Sequence, residues 1–502
     1  MPHLVPGRRL SRMKARGVPP ELRAAARAMA GVLGWERVGV LRPETTLYAS
    51  DAGMSARDPG LVVWPDGTEE VAAIVRVCRD HELPFTARGA GTGLSGGAVG
   101  LAGGVVIGLA RMDAILSVDV DNRCAWVQPG VVNLELSMRL APHGYHFAPD
   151  PSSQAACTIG GNVANNSGGP HTLLHGSTSA HVLALEVVLA DGDVVTLGSH
   201  APDTPGYDLR GVFVGSEGMC GIATAVCVRL TANPPDRATL MARFATPLDA
   251  SRATSGIIAA GVIPAALELM DGPMCTAVAA FLGTDDYPSD GSAVLLVEVE
   301  GMPTAVAEDV ASIEGVLGRN GATAVRRAAD DTERDRIWRG RKSAFGAVGR
   351  IAPNYYLHDC VVPRTVLPEV LEQVYEIARR HELDVVNVFH AGDGNLHPLL
   401  AFDATIPGVM DRVKQAGVEI VELCVRVGGV LTGEHGVGLE KQSFMELLFT
   451  PSDLDAQARI PRAFDPKAIS NPDKVFPRGS RCGDLRELPP DISGAQASGL
   501  WV

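Results

Sequence analysis

The stretch FTARGAGTGLSGGA, residues 85–98, places five glycines in fourteen positions directly after a short run that reads as a strand. Each glycine inside a helix or strand costs roughly 0.5–1 kcal/mol relative to alanine, so the segment is neither. A strand that ends in Gly, Thr and Ser can curl until several backbone N–H groups converge, and such a nest binds phosphate oxygens. The spacing is not GxxxxGK[ST], and no lysine follows. Nor does it open a helix as a dinucleotide-binding GxGxxG does, because GGVVIGLA (103–110) resumes as strand. A flexible loop is the alternative for this segment alone.

Two more small-residue segments follow, PDPSSQAACTIGGNVANNSGGPHTLLHGS (149–177) and GYDLRGVFVGSEGMCGI (206–222), separated by strands such as CAWVQPG and ALEVVLADGDVV. Three such segments suit one extended ligand: a diphosphate cradle, an adenosine slot and a ring slot. Around them the pattern alternates strand and helix. LVVWP reads as a strand, and TEEVAAIVRVCRDHE as an amphipathic helix opened by Thr68 with Glu69 and Glu70 in its first turn. A second block begins near Thr239, where LLVEVEG, DVVNVFH and LHPLLAFD alternate with helices at about 304–319 and 368–380. That pattern predicts helices on one face of an antiparallel sheet. Helices are predicted again at about 407–427 and from Glu440.

The chain has 502 residues, 46% hydrophobic and 20% charged, too many for one core. A net charge of −14 argues against nucleic acid as a partner. Nine scattered cysteines form no CxxC pair, which excludes the usual zinc-ribbon and iron–sulfur motifs and suits a reducing cytoplasm. No run approaches the ~20 apolar residues that cross a bilayer. The basic N-terminus lacks an apolar core, so it reads as a disordered leader and not a secretory signal.

HAGDGNLH puts His390 and His397 at the two ends of a tight turn, read as a β-hairpin that brings strand ends to roughly 5 Å. GEHG adds Glu434 and His435. Two histidines and a carboxylate match a Zn²⁺, Mn²⁺ or Fe²⁺ site with open positions; ordinary polar turn residues are the alternative.

RGAGTGLSGGA, PDPSSQ-x-AC-x-IGGNVA and GSEGM-x-GI together resemble the FAD-binding domain of the vanillyl-alcohol oxidase/PCMH superfamily. From about Tyr48 to Pro477, through GRKSAFGAVGRIAPNYY, VFHAGDGNLHPL and GEHGVGLEK, the chain is similar to the D-2-hydroxyacid dehydrogenase branch, which includes the flavin subunits of bacterial glycolate oxidases. The resemblance implies an α+β fold. A PCMH-type FAD-binding domain of two α/β subdomains precedes a ferredoxin-like antiparallel-sheet substrate (cap) domain and a C-terminal helical segment. The boundaries expected are a leader and helical segment at 1–55, the FAD domain at 56–235, the cap domain with its metal hairpin at 236–430, a helical segment returning to the flavin at 431–480, and a flexible tail at 481–502.

By the same resemblance Arg88, Gly89, Gly91, Thr92, Gly93, Leu94, Ser95, Gly96 and Gly97 hold the FAD diphosphate. Pro149, Asp150, Ser152, Ser153, Thr158, Gly160, Gly161, Asn162, Asn165 and Gly168 line the flavin, and Glu217, Gly221 and Ile222 the adenosine side. Some members link FAD covalently through a histidine in the first loop. None lies between His81 and His143 here, so non-covalent FAD is expected.

The resemblance places a divalent metal on His390, His397 and Glu434, makes His435 the base, and assigns Arg341 to the substrate carboxylate, for which a planar guanidinium is suited. Arg339 and Lys342 are left as a solvated helix face. Leu357 and Leu399 stand where relatives acting on dicarboxylates carry polar residues, which predicts an apolar lining and a small 2-hydroxy acid such as glycolate or D-lactate. The expected reaction passes hydride to flavin N5 and the hydroxyl proton to His435, with the metal lowering the hydroxyl pKa. Electrons would leave to a second flavin-type subunit and an iron–sulfur subunit, with cytoplasmic location and peripheral membrane contact through those partners. The alternatives are a D-lactate dehydrogenase acting alone, a non-catalytic flavin relay subunit, and a metal-dependent hydrolase with a glycine-rich structural domain.

Overall fold

A computed structural model describes residue 14 and residues 17–201 and 205–477. Most of the predicted leader and all of the tail at 481–502 lie outside the described residues.

The first part of the chain builds two sheets. One has four strands in the order Val38–Gly39, Leu61–Val63, Val105–Gly108, Phe85–Arg88, with the last three parallel. The helix Thr68–Asp80 connects two of them. Glu69 and Glu70 sit at the positive end of its dipole and Arg79 at the negative end. It buries one stripe, Val71, Ala72, Ile74, Val75 and Cys78, against Leu61, Val63, Val105 and Ile107. Each large aliphatic removed from water contributes roughly 1.5–3 kcal/mol. The second sheet is antiparallel, in the order Ile115–Asp119, Cys124–Val127, Ile222–Arg229, Val182–Val188, Val194–Gly198.

A larger antiparallel sheet follows, ordered Ala324–Arg327, Asp236–Phe244, Ala293–Gly301, Ala266–Met270, Asp384–His390, Asn395–Leu396, Cys360–Val361. Pro398–Phe402 branches from it to pair with Asn354–Leu357. The expectation of helices on one face is corrected, because both faces are covered. Leu240, Phe244, Leu295 and Val297 pack under the long helices Pro247–Ala259, Pro303–Arg319, Leu367–Arg380 and Val409–Arg426. Met241, Met270, Val294 and Leu296 pack under the shorter helices Gly272–Leu282, Asp331–Lys342 and Ala344–Ala347. Near-continuous apolar strands such as AVLLV are what two buried faces require. The predicted helix from Glu440 is instead two short turns, Gln442–Phe444 and Met445–Leu448, before Pro451–Phe464, which Thr450 and Asp453 open with a capping box.

A buried carboxylate ties the two parts together. Glu298 accepts from Arg334 Nε at 2.8 Å and Nη2 at 2.7 Å and from Trp338 Nε1 at 2.8 Å. His171, from the second glycine-rich segment, reaches Glu298 at 3.3 Å and Asp150 at 2.7 Å and stacks on Trp338. Burial works against charge on His171, yet Asp150 and Glu298 hold it protonated, with its pKa raised to about 10.

Candidate functional site

The three glycine-rich segments converge on one cavity of about 360 Å³. Its wall holds Arg88, Gly89, Gly91, Thr92, Gly93, Leu94 and Gly97 from the first, Ser152, Ser153, Thr158, Gly160, Gly161, Asn162 and Asn165 from the second, and Glu217, Gly221 and Ile222 from the third. Five residues of the expected set lie off that wall. Ser95 is buried, with its hydroxyl donating to the His435 and Gly436 carbonyls at 3.0 and 2.9 Å. Gly96 packs on Leu439 and Gly168 faces Thr172 and Glu434. The Pro149 carbonyl accepts from Asn133, and the Asp150 carboxylate is engaged by His171.

The cavity fits an extended polar cofactor. A Cβ placed on Gly93 would meet no protein atom closer than 3.8 Å and would project into the open space. Arg88 Nη1 and both amide atoms of Asn162 are buried without a hydrogen-bond partner, and native proteins rarely leave such groups unpaired. Arg88 ends the strand Phe85–Arg88, with its guanidinium over the Tyr48 ring at 5.4 Å.

The C-terminal segment closes one end. Gly438, at φ +53°, approaches so near that a Cβ there would lie 2.0 Å from the Ser95 carbonyl oxygen. Glu217 accepts from the Val437 and Gly438 amides at 2.7 and 2.8 Å, and Asn165 Nδ2 donates to the His435 carbonyl at 3.0 Å. Asn471 binds Thr86, the Gly97 carbonyl and the Glu217 carbonyl at 2.9, 2.9 and 2.6 Å. Glu434 and His435 thereby reach the cavity wall beside Lys342, Phe345 and Tyr355.

Behind that wall sits the hairpin. His390 pairs with Asn395 across the turn, and the His390 and His397 rings are 5.1 Å apart. His390 Nδ1 meets Glu268 at 2.7 Å, which leaves Nε2 at 3.3 Å from Glu434 Oε1. His397 Nε2 lies 3.5 Å from the same oxygen. Both nitrogens of His397 and Oε2 of Glu434 are buried without hydrogen bonds, the state expected of a ligand set turned towards a cation. Burial alone would raise the Glu434 carboxyl, but His390, then His397 and His435, hold it down at about 2. A second triad overlaps the first, since ligand atoms of Asp359, His397 and His435 also lie within 4.8 Å of one another. Asp359 is already engaged by the Thr432 hydroxyl and by the Gly433 and His435 amides at 3.1 and 2.9 Å. His435 stacks on His397 at 5.1 Å, and burial pushes its pKa down to about 4 against the pull of Asp359.

Arg341 does not face the cavity. Its guanidinium is 1% exposed and paired with Glu268 at 2.6–2.7 Å, where it backs His390. Lys342, one residue on, lies on the wall instead. Leu357 and Leu399 pair with each other in the core under the short helices, so the predicted apolar lining is supplied by Phe345 and Tyr355. Glu268, Asp359, Lys441 and Asn471 were missed by sequence reasoning. Asp359 sits two residues after Leu357, which the sequence reading singles out, whereas Glu268 looks like an ordinary strand residue in ALELM.

Two cradled halves, one for a nucleotide-sized cofactor and one presenting histidines to it, define a flavin-dependent oxidoreductase. Residues 59–198 match the FAD binding domain family, and residues 233–475 match the C-terminal domain of FAD linked oxidases. The glycolate oxidase subunit GlcD of Escherichia coli is 47% identical over 427 residues, 85% of each chain. A D-lactate dehydrogenase of Archaeoglobus fulgidus is 34% identical over 417 residues, covering 83% of this chain and 91% of its own. The solved structure of p-cresol methylhydroxylase with substrate bound superposes with a TM-score of 0.77 at 18% identity, over 92% of this chain and 98% of its own, which bears on the fold alone. The chain belongs to the FAD-linked oxidases, with its similarity to the GlcD-type subunits, and it binds FAD. Among the described residues no helix is long and apolar enough to cross a membrane.

Proposed function

We propose that this chain oxidises a small 2-hydroxy acid, glycolate first, to the 2-oxo acid. The observation that carries the reading is His435, on the wall of the cavity formed by the FAD-binding glycines and beside Glu434. When bound, FAD supplies a hydride acceptor at N5. His435 takes the hydroxyl proton on its imidazole, in a position fixed by Asn165 and Ser95 through its own carbonyl. His390, His397 and Glu434 would hold a divalent metal that lowers the hydroxyl pKa. The donor set supports that assignment over the Asp359 triad, because Asp359 is already saturated by hydrogen bonds. Lys342 is the cation on the wall available to the substrate carboxylate, while Arg341 holds Glu268 and through it His390.

FAD is held without a covalent link in this reading, in a domain spanning 56–235, with the cap at 236–430 above it. The Escherichia coli relative is called a subunit, which supports an electron-accepting partner. In this reading the partner carries the iron–sulfur centre, since this chain has no CxxC pair to hold one, and the assembly works in the cytoplasm, peripheral to the membrane. The name of the Archaeoglobus relative favours D-lactate as the second substrate to test. Anaerobic mixing with glycolate, D-lactate, L-lactate and D-2-hydroxyglutarate, followed by flavin bleaching, should show fastest reduction with a small monocarboxylate. Bleaching by none of the four, or fastest by the dicarboxylate, contradicts the reading.

A further inference from the structure

The five-stranded sheet carries a side-chain group that the flavin site does not use. Cys124 and Cys227 lie on neighbouring strands whose register pairs Cys227 with Trp126 and Arg229 with Cys124. Residues two apart on a strand share a face, so the thiols are diagonal neighbours on one face. Their sulfurs and an imidazole nitrogen of His200 all lie within 4.8 Å of one another. Cys124 is 2% exposed and Cys227 0%, beneath an exposed His200.

The register explains how His200 reaches them. Trp126, Cys227, Ala184 and Gly198 form one row across four strands, so only the small residues Ala184 and Gly198 separate Cys227 from the position where the chain leaves the strand Val194–Gly198 towards His200. Trp126 Nε1 donates to His200 Nε2 at 2.7 Å. An indole N–H only donates, so His200 Nε2 is unprotonated and accepts with its one lone pair while Nδ1 carries the proton; an ion bound at Nε2 takes the place of the Trp126 hydrogen bond. Asp119, directly opposite Cys124, shares the face.

A disulfide does not suit this arrangement. Diagonal neighbours have Cα atoms about 7–8 Å apart, beyond the usual disulfide range of about 4.4–6.8 Å, and both cysteines are free. A tetrahedral ion does suit it, since Zn–S of about 2.3 Å and Zn–N of about 2.0 Å set ligand atoms roughly 3.5–3.8 Å apart. We propose that Cys124, Cys227 and His200 bind one zinc-like divalent ion, with water or Asp119 in the fourth position. The ion clips the loop after Val194–Gly198 across the sheet. Cys227 lies four residues beyond Ala223 of the cavity wall, about 13 Å along the strand, so the clip is separate from the flavin chemistry. Burial keeps both thiols protonated, with Cys227 pushed up to about 12. Two thiols and one ion therefore give a dithiolate complex and two released protons.

The FAD-loaded protein, stripped by a chelator, can be titrated with Cd²⁺ and read by the ultraviolet Cd–thiolate charge-transfer band. The histidine–glutamate cluster behind the flavin cavity contains no sulfur and cannot produce it. We expect one thiolate-bound ion per chain to account for the band, with two protons released for that ion, a second ion taken up without a band by the histidine–glutamate cluster, and competition by Zn²⁺. Cys124→Ser/Cys227→Ser should abolish the band, and His200→Ala, which removes only an exposed ring, should weaken the titration. Both variants should keep wild-type flavin content and bleaching. Absence of the band in the wild type, its persistence in the double variant, or an unchanged titration in His200→Ala overturns the proposal.

Discussion

Gly93→Val separates a cofactor cradle from a structural turn. Gly93 is not among the positive-φ residues, and its added Cβ meets only Asn165 Nδ2 and Asp51 Oδ2, each at 3.8 Å. The folded protein therefore accepts valine with little strain, and its stability should stay within about 0.5 kcal/mol, as for a surface change. Three added carbons would nevertheless enter the space proposed for the FAD diphosphate. Overpacking a filled site costs about 1–3 kcal/mol, which is roughly a 5- to 150-fold weaker FAD affinity at 1.36 kcal/mol per decade. Gly160→Ala is the contrasting control, because its Cβ would lie 2.6 Å from Pro129 Cβ and 3.0 Å from the Pro129 carbonyl. That change should lower the unfolding midpoint of the apoprotein. The assay is FAD titration of deflavinated protein by flavin fluorescence, with a denaturant melt of each apoprotein. Wild-type FAD affinity in Gly93→Val refutes the reasoning, as does a melt shifted as far as that of Gly160→Ala.

The other expectations concern the histidine cluster, the substrate cation and the interdomain carboxylate. His390→Ala/His397→Ala should lose the divalent metal, with elemental analysis after dialysis as the check; metal content equal to wild type removes the site. Lys342→Met should raise KM for glycolate about 10- to 150-fold, the equivalent of a charged hydrogen bond worth about 1.5–3 kcal/mol, and steady-state kinetics showing an unchanged KM would return the carboxylate to another group. His171→Gln should destabilise the protein most at low pH. A histidine raised to about 10 contributes its full stabilisation below the unfolded value of about 6.5 and loses it as pH climbs through 10. That raise corresponds to roughly 5 kcal/mol at most. Denaturant midpoints of variant and wild type should differ more at pH 6 than at pH 10.

How much of this was legible varies with how local the signal is. The cradle could be read because glycine density reports a backbone requirement within one segment, and most of Arg88–Gly97 does line the cavity. An exception such as Ser95 makes contacts with His435 and Gly436 that are distant in sequence. The helix Gly272–Leu282 was not anticipated because MCTAVAAFL is apolar on nearly every side and gives no amphipathic stripe. Arg341 and Lys342 show the sharpest limit. Neighbours on a helix point about 100° apart, and which one meets a cavity depends on how Asp331–Lys342 packs against Glu268. Asn471 lies in NPDKVFP, where nothing local marks a residue that ties Gly97 to Glu217.

The base assignment is tested most directly by the reductive half-reaction of His435→Asn. FAD spectrum and metal content should match wild type, because His390, His397 and Glu434 remain. Anaerobic flavin bleaching by glycolate should slow about 10²–10⁴-fold, the usual contribution of a positioned base. Bleaching at the wild-type rate, or loss of the metal together with the activity as the Asp359–His397–His435 triad would require, contradicts the account.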